Sequence, residues 1–213
     1  MADDKPKPEH KTKHKDDDAR WNHSIHYRRK LEQWIPDGPG RALDVGTGEG
    51  FVARDLAARK WTVTAIDSDH DSIESAREQD TNNITYIEGD VMTADLPRGS
   101  FDVVSAVGVI HHLELEPALE RLKDLLAPGG HLLIVGLAWS KWPMGMLWDI
   151  GGSFYEKPYR LFRGYWNSGS PTVWPPPHSF GDVSRAAAVV LPGSIYQRKV
   201  IYRYTIRWTK PDA

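Results

Sequence analysis

Apolar residues along the chain fall into short runs rich in β-branched side chains, and most runs end in a turn former or an acid. Arg41 to Val45 reads as a buried strand. Thr62 to Ile66 reads as a second, ending in Asp67, and Ile84 to Ile87 as a third, ending in Glu88-Gly89-Asp90-Val91. Phe101 to Val107 is a fourth and leads into Gly108 to Leu113; His131 to Leu137 is a fifth. Between them the period lengthens to that of a helix. Val52, Ala53, Leu56 and Ala57 share one face, and Leu119 to Ala127 is an amphipathic segment stopped by Pro128-Gly129-Gly130. Farther on, Phe180 to Leu191 predicts a helix and Ser194 to Val200 a strand, while Tyr202 to Thr209 alternates as a last strand. Strands alternating with helices predict an α/β fold with a parallel sheet, whose ligands lie outside the carboxyl ends of the strands. Asp44, Asp67, Asp90 and His111 all fall at or just beyond strand ends, as a single site requires.

The turn after the first strand is Gly46-Thr47-Gly48-Glu49-Gly50, followed by Phe51. A strand, a glycine turn and a helix N-terminus together set bare backbone N–H groups beside a ligand. In a dinucleotide fingerprint the third glycine comes three residues after the second; here it comes two after, which disfavours a nicotinamide dehydrogenase. Asp44 lies inside the strand just before the turn, where a carboxylate suits a cationic group better than a pyrophosphate. Asp67 is placed to accept both hydrogen bonds of a ribose diol. Asp90, with the Val91 backbone beside it, is placed to accept one from an exocyclic amine. Each acid alone reads equally well as a turn former; it is their joint order that points to a site.

As a set, LDVGTGEGF at 43–51, AID at 65–67, EGDV at 88–91, FDVVSAVGVIHHL at 101–113 and LLAPGGHLLIVG at 125–136 resemble the class I S-adenosylmethionine-dependent methyltransferases, over a span from about Arg41 to Leu137. The resemblance implies a Rossmann-like α/β fold: a mostly parallel seven-stranded sheet, helices on both faces, an aromatic-rich insertion after the fifth strand and a final antiparallel pair. It implies S-adenosyl-L-methionine as cofactor and S-adenosyl-L-homocysteine as product. Asp44 would act near the cofactor's amino group, Asp67 at the ribose hydroxyls and Asp90 at the adenine amine. Gly46, Thr47, Gly48, Gly50, Ser68, Val91 and Val107 would complete the cofactor wall.

Composition agrees with one soluble enzyme domain. The chain has 213 residues and is 40% hydrophobic, ample for a core. A net charge of −2 gives no global attraction to nucleic acid or anionic membrane. No run approaches the length needed to span a bilayer and no signal-peptide core opens the chain, so a cytoplasmic location without stable membrane insertion is expected. Cysteine is absent, which agrees with that location. It also excludes the covalent thiol adduct of cytosine C5 methylation and a cysteine-bound iron–sulfur cluster. No Asn/Asp-Pro-Pro-aromatic tetrapeptide follows the fourth strand. A nucleic-acid substrate is therefore not expected, and a small-molecule methyl acceptor is, on a monomer or homodimer.

Residues 1–20 carry six basic and six acidic side chains and almost nothing apolar, and read as a disordered charged tail. His10 and His14 in it lack a third ligand, so no metal site is expected. The single domain would run over 21–213. Trp21 to Ile35 reads as an N-terminal cap helix (21–36 with its stop), with Tyr27, Leu31 and Trp34 on one face. It is either a packing helix or, as the resemblance implies, a cover from which Tyr27 reaches the cofactor and His26 the substrate. Residues 138–179 hold five of the nine tryptophans: Trp139, Trp142, Trp148, Trp166 and Trp174. Pro143 opens a helical pattern there, Tyr155 to Tyr165 carries a second, and Pro175-Pro176-Pro177-His178 is stiff and extended. This segment reads as a substrate lid; packing onto the sheet, a dimer contact and a membrane-surface contact are the alternatives.

The reaction that the resemblance implies is in-line displacement, which asks the protein for alignment and water exclusion. A hydroxyl or enol nucleophile also gains from losing its proton, and histidine is the natural base. His111 is the candidate general base, set against a purely structural role. His112, Trp139 and His178 are candidate substrate contacts. A protein that binds the cofactor without transferring a methyl is the alternative function.

Overall fold

The computed structural model describes residues 33–79, 84–141, 173–199 and 202–212. The charged tail, the cap helix over 21–32 with His26 and Tyr27, the helical patterns after Pro143 and from Tyr155 to Tyr165, and Trp142, Trp148 and Trp166 lie outside the described residues; residues 33–35, at the end of that pattern, form a turn.

In chain order come β1 (Gly40–Val45), α1 (Phe51–Ala58), β2 (Trp61–Asp67), α2 (His70–Glu78), β3 (Ile84–Glu88) and β4 (Phe101–Val107). A single 3₁₀ turn, Ile110–His112, leads to α3 (Leu115–Leu125) and β5 (Leu126–Leu137). After the segment that follows β5 come α4 (Phe180–Val190), β6 (Ile195–Arg198) and β7 (Arg203–Thr209). The seven strands form one sheet in the order β3-β2-β1-β4-β5-β7-β6. β1 to β5 are mutually parallel, and β7 is antiparallel to both β5 and β6. Strand order reverses between β1 and β4, which makes the carboxyl ends of those two strands the topological switch point.

The pleat sorts the core into two layers. Leu43, Val45, Val104 and Ala106 face the layer holding α3 and α4, with Leu119, Leu122 and Val183. Ala42, Val63, Val103 and Leu133 face the other, with Val52, Ala53 and Leu56 of α1. Because side chains alternate, Asp44 and Ser105 stand on the α1 side. The parallel register sets them level, on neighbouring strands.

Three local differences from the sequence reading have physical causes. Helix α3 starts at Leu115, earlier than its pattern predicts, because Leu115, Ala118, Leu119, Leu122 and Leu125 form one continuous buried stripe. Pro117 is tolerated in the first turn, where backbone N–H groups have no intrahelical partner. The Pro128-Gly129-Gly130 stop is drawn into a longer β5, since Gly129 N donates to Lys210 O at 3.0 Å and Lys210 N to Gly130 O at 2.8 Å. The Lys210 ammonium then caps α3 by donating to Lys123 O at 3.0 Å and Leu126 O at 2.7 Å. Third, α2 has no strong apolar period to announce it: it buries only Ser72, Ile73 and Ala76, and its clearest signal is the Asp69 N-cap, which accepts from Ser72 N at 2.9 Å.

Among the described residues no helix is long and apolar enough to cross a membrane.

Candidate active site

The glycine loop leaves β1 by holding on to β2: Gly46 N and Thr47 N both donate to Ile66 O, at 2.9 and 3.2 Å. Gly46 has φ 64° and lies so close to the segment after β4 that an added Cβ would sit 2.7 Å from Val109 Cβ. A Cβ on Gly48, by contrast, would meet nothing within 4 Å, so the outer face of the loop is open. Gly50 caps α1 with no side-chain bond, and its N–H donates to Thr47 O at 2.9 Å.

Each of the three strand-end acids is engaged by its own surroundings. Asp67 accepts from Gly48 N at 2.8 Å through one oxygen and from Asp69 N at 3.0 Å through the other, which joins the glycine loop to the turn after β2. Both oxygens keep a lone pair for a further donor. Asp90 is exposed and accepts from Met92 N at 2.9 Å, closing its own turn. Asp44 is buried, 1% exposed, and takes 2.7 Å hydrogen bonds from Thr47 Oγ1 and Ser105 Oγ. Burial pushes its carboxyl up to about 6; the Thr47 and Ser105 bonds oppose the rise, and repulsion from Asp55 and Asp67 adds to it. A buried acid poised in this way is stabilised in its charged form by an arriving cation. An open loop, a diol-ready carboxylate and a cation-ready carboxylate together fit an aminoacyl nucleoside such as S-adenosylmethionine.

Across the switch point the polar groups are histidines. His111 is buried, and its Nδ1 has no hydrogen-bond partner among the described residues. Burial lowers its pKa to about 3, reinforced by the positive charges of His112, Arg203 and His178. The expectation of a ring titrating near the working pH rests on an ordinary environment. The structure instead holds His111 neutral, chiefly because the ring is taken out of water. His112 is exposed, its ring centroid 4.1 Å from that of His111. Its pKa is also lowered, chiefly by partial loss of water, with Asp67 pulling the other way.

His178 arrives from a distant part of the chain. Trp139, just past β5, bridges Ser179: its N–H donates to His178 O at 3.2 Å, and its carbonyl accepts from Phe180 N at 3.0 Å. Ser179 and Asp182 close a capping box that starts α4 there. His178 Nε2 is buried and likewise has no hydrogen-bond partner among the described residues. Trp139 is 37% exposed, and Trp174 is 58% exposed with its ring edge-on to Tyr202 at 4.9 Å. Among the described residues no histidine, aspartate or glutamate cluster could hold a metal ion.

The structure therefore brings Asp44, Gly46, Thr47, Gly48, Gly50 and Asp67 into one wall, with Ser68 exposed on the turn beyond it. Asp90 and the buried Val91 stand on the adjoining turn after β3, and Val107 ends β4 opposite. His111, His112 and His178 gather at the far side of the switch point. Two residues that sequence reasoning misses serve this arrangement. Ser105 holds Asp44; its signal is a lone hydroxyl inside an otherwise apolar strand. Arg121 of α3 donates to Val91 O at 3.0 Å and Ala94 O at 2.7 Å, gripping the Asp90 turn. Nothing local in the sequence marks that pairing.

A methyltransferase-domain family model matches residues 43–134. An uncharacterized methyltransferase of Mycobacterium tuberculosis is 34% identical over 196 residues, covering 91% of this chain and 99% of that protein. The demethylmenaquinone methyltransferase of Thermus thermophilus is 31% identical over 124 residues, 55% of this chain and 54% of its own length. Among solved structures, Haemonchus contortus phosphoethanolamine N-methyltransferase 2, in complex with phosphomonomethylethanolamine and S-adenosylhomocysteine, is similar with a TM-score of 0.64 at 16% identity; the chain spans 53% of it and the match covers 88% of this chain. An S-adenosylmethionine-dependent methyltransferase of Aquifex aeolicus is similar with a TM-score of 0.59 at 19% identity, covering 85% of this chain and 87% of that one.

Proposed function

The chain belongs to the class I S-adenosylmethionine-dependent methyltransferases, and from that premise we propose that it methylates an oxygen, or an enol carbon, of a small molecule. The observation that carries this reading is a juxtaposition: the carboxylate-lined glycine loop meets, at one strand crossing, a buried and uncharged histidine.

When bound, S-adenosylmethionine supplies a methyl group already activated on a sulfonium. In this reading Asp67 accepts from the ribose hydroxyls and Asp90 from the adenine amine. Asp44, held in place by Thr47 and Ser105, takes the amino group with the lone pairs that those bonds leave free. Gly46, resting on Val109, ties this wall to the segment that carries His111, so that cofactor and acceptor are aligned by one rigid loop contact. His111 is in the right state to receive a proton. A ring with so low a pKa is a weak base for a free hydroxyl, but a newly alkylated oxygen that still holds its proton is a strong acid. His111 need only accept that proton as the bond to carbon forms and pass it outward. Exposed His112, in ring contact with it, is the exit.

His178 and Trp139 are read as lining the acceptor side.

Calorimetry gives the first test. S-adenosylhomocysteine should bind at about micromolar strength and NAD should not; tight NAD binding overturns the assignment. Transfer of labelled methyl from S-adenosylmethionine to alcohols, phenols, carboxylates and enols then tests the acceptor class. Binding with no transfer to any of them supports a silent cofactor-binding protein instead.

A further inference from the structure

The small net charge of the chain conceals a strong asymmetry. From Leu126 to Thr209 there are nine lysines and arginines against three aspartates and glutamates, whereas the rest of the chain has eighteen against twenty-six. Nine against three leaves an excess of cations whichever ion pairs form within the stretch. The same stretch holds all five large apolar side chains that stand exposed among the described residues: Trp139, Val173, Trp174, Val189 and Ile195. Charge of one sign and uncovered apolar surface in one part of a chain mark an interaction face.

Specific contacts gather much of it at the carboxyl end of β5, the end of the sheet that also carries the glycine loop. Ala138 N donates to Tyr202 O at 3.0 Å, and the Trp174 ring stands edge-on to that of Tyr202. Beside them Lys199 N donates to Arg203 O at 2.8 Å, between β6 and β7. Arg198 Nη2 donates to Ser140 Oγ at 2.7 Å, while its guanidinium lies 4.2 Å from the centroid of the Phe180 ring. Lys141 is exposed and bridges Asp182 at 3.2 Å. Trp139 and Trp174 thus stand beside Lys141, Arg198 and Lys199.

We propose that this end of the sheet docks on an anionic phospholipid surface, with the tryptophan rings at headgroup depth and the cations against lipid phosphates and carboxylates. An indole has an apolar body and one polar N–H, which suits it to that boundary. Each lysine or arginine brought near the negative surface adds about fivefold in affinity. A nucleic acid would also satisfy the cations. Val173, however, with Pro175 and Pro177 exposed close by, presents aliphatic surface that lipid matches and a base does not. Docking of this kind is interfacial and reversible, and needs no spanning helix.

Flotation of the full chain with vesicles tests it, using phosphatidylcholine alone and phosphatidylcholine mixed three to one with phosphatidylserine. The mixed vesicles should bind at least about tenfold more tightly, and the advantage should fade in high salt. Lys141→Gln and Lys199→Gln should each weaken binding about three- to fivefold. Trp174→Ala should weaken it roughly three- to tenfold. Arg98→Gln, an exposed change in the acidic part of the chain, should leave it unmoved. The proposal is overturned if phosphatidylserine adds no affinity, if Trp174→Ala binds as the unsubstituted chain does, or if Arg98→Gln costs as much as Lys199→Gln. Tighter binding of a labelled single-stranded DNA than of the mixed vesicles overturns it too, in favour of nucleic acid. The vesicle and DNA comparisons on the unsubstituted chain decide even where a variant does not fold. The readout makes no use of methyl transfer, so its failure and that of the methyltransferase reading are separate results.

Discussion

The two walls of the site are built on opposite plans. On the cofactor side every acid is already hydrogen-bonded: Asp44 to Thr47 and Ser105, Asp67 to the Gly48 and Asp69 backbone, Asp90 to Met92. On the acceptor side two ring nitrogens are buried without a partner among the described residues, and Trp139 and Trp174 stand partly exposed. The first wall is preorganised and needs little rearrangement to receive its ligand. The second, among the described residues, leaves two ring nitrogens unpaired and two tryptophans partly exposed. In the proposed reading, one fold holds its cofactor on preorganised groups and leaves acceptor choice to side chains that cost stability in the free protein.

If the walls are this independent, substitutions should separate them. The largest effect is expected at Asp67. Asp67→Ala removes two charge-assisted bonds worth about 1.5–3 kcal/mol each, so calorimetry should find S-adenosylhomocysteine affinity down roughly 10²–10⁴-fold. His178→Ala should leave that affinity within about threefold; equal losses in both variants would erase the distinction. Next is His111→Ala, expected to lower kcat about 10²-fold on an oxygen acceptor, at the weak end for a proton acceptor of low basicity, with cofactor affinity unmoved. Intact turnover would remove His111 from the chemistry.

A smaller contrast lies inside the cofactor wall. Both Gly46→Ala and Gly48→Ala incur about 1–2 kcal/mol for a left-handed backbone, but only the first drives a Cβ to 2.7 Å from Val109. Urea unfolding should therefore show Gly46→Ala less stable than Gly48→Ala by about 1–3 kcal/mol. Equal losses would mean that the loop does not rest on the β4 side.

The gentlest test is of pH. Asp44 is raised to about 6 in the free protein and must be ionised to hold the cofactor's ammonium. Above that pH the acid is already charged and binding is insensitive to it. Below it, binding must expel a proton, and cofactor affinity should fall about tenfold per pH unit. Calorimetry in buffers of different ionisation enthalpy would register the released proton, and Asp44→Asn should flatten the dependence. A flat profile in the unsubstituted protein would place the ammonium elsewhere.

The cofactor wall is legible in the amino-acid sequence because its residues follow one another along strand–turn–helix units. Asp44, Gly46, Asp67 and Asp90 sit at strand ends whose apolar runs are plain in the sequence, and the order of the acids carries the meaning. The acceptor wall is legible only as a set of suspects. His111, His112 and His178 can be named as histidines near the right strands, but their company cannot. Ser105 and Arg121 act across 61 residues in the first case and 27 and 30 in the second, and no local pattern records such reach.

The sequence by itself determined the layout: which segments are strands, where the chain turns, and which acids stand at the carboxyl ends, since periodicity and turn chemistry are local properties of the chain. Only the tertiary structure decided the electrostatics. That Asp44 is raised to about 6 and His111 lowered to about 3 follows from how other elements close over each group and exclude water, and burial is a property of the packed molecule.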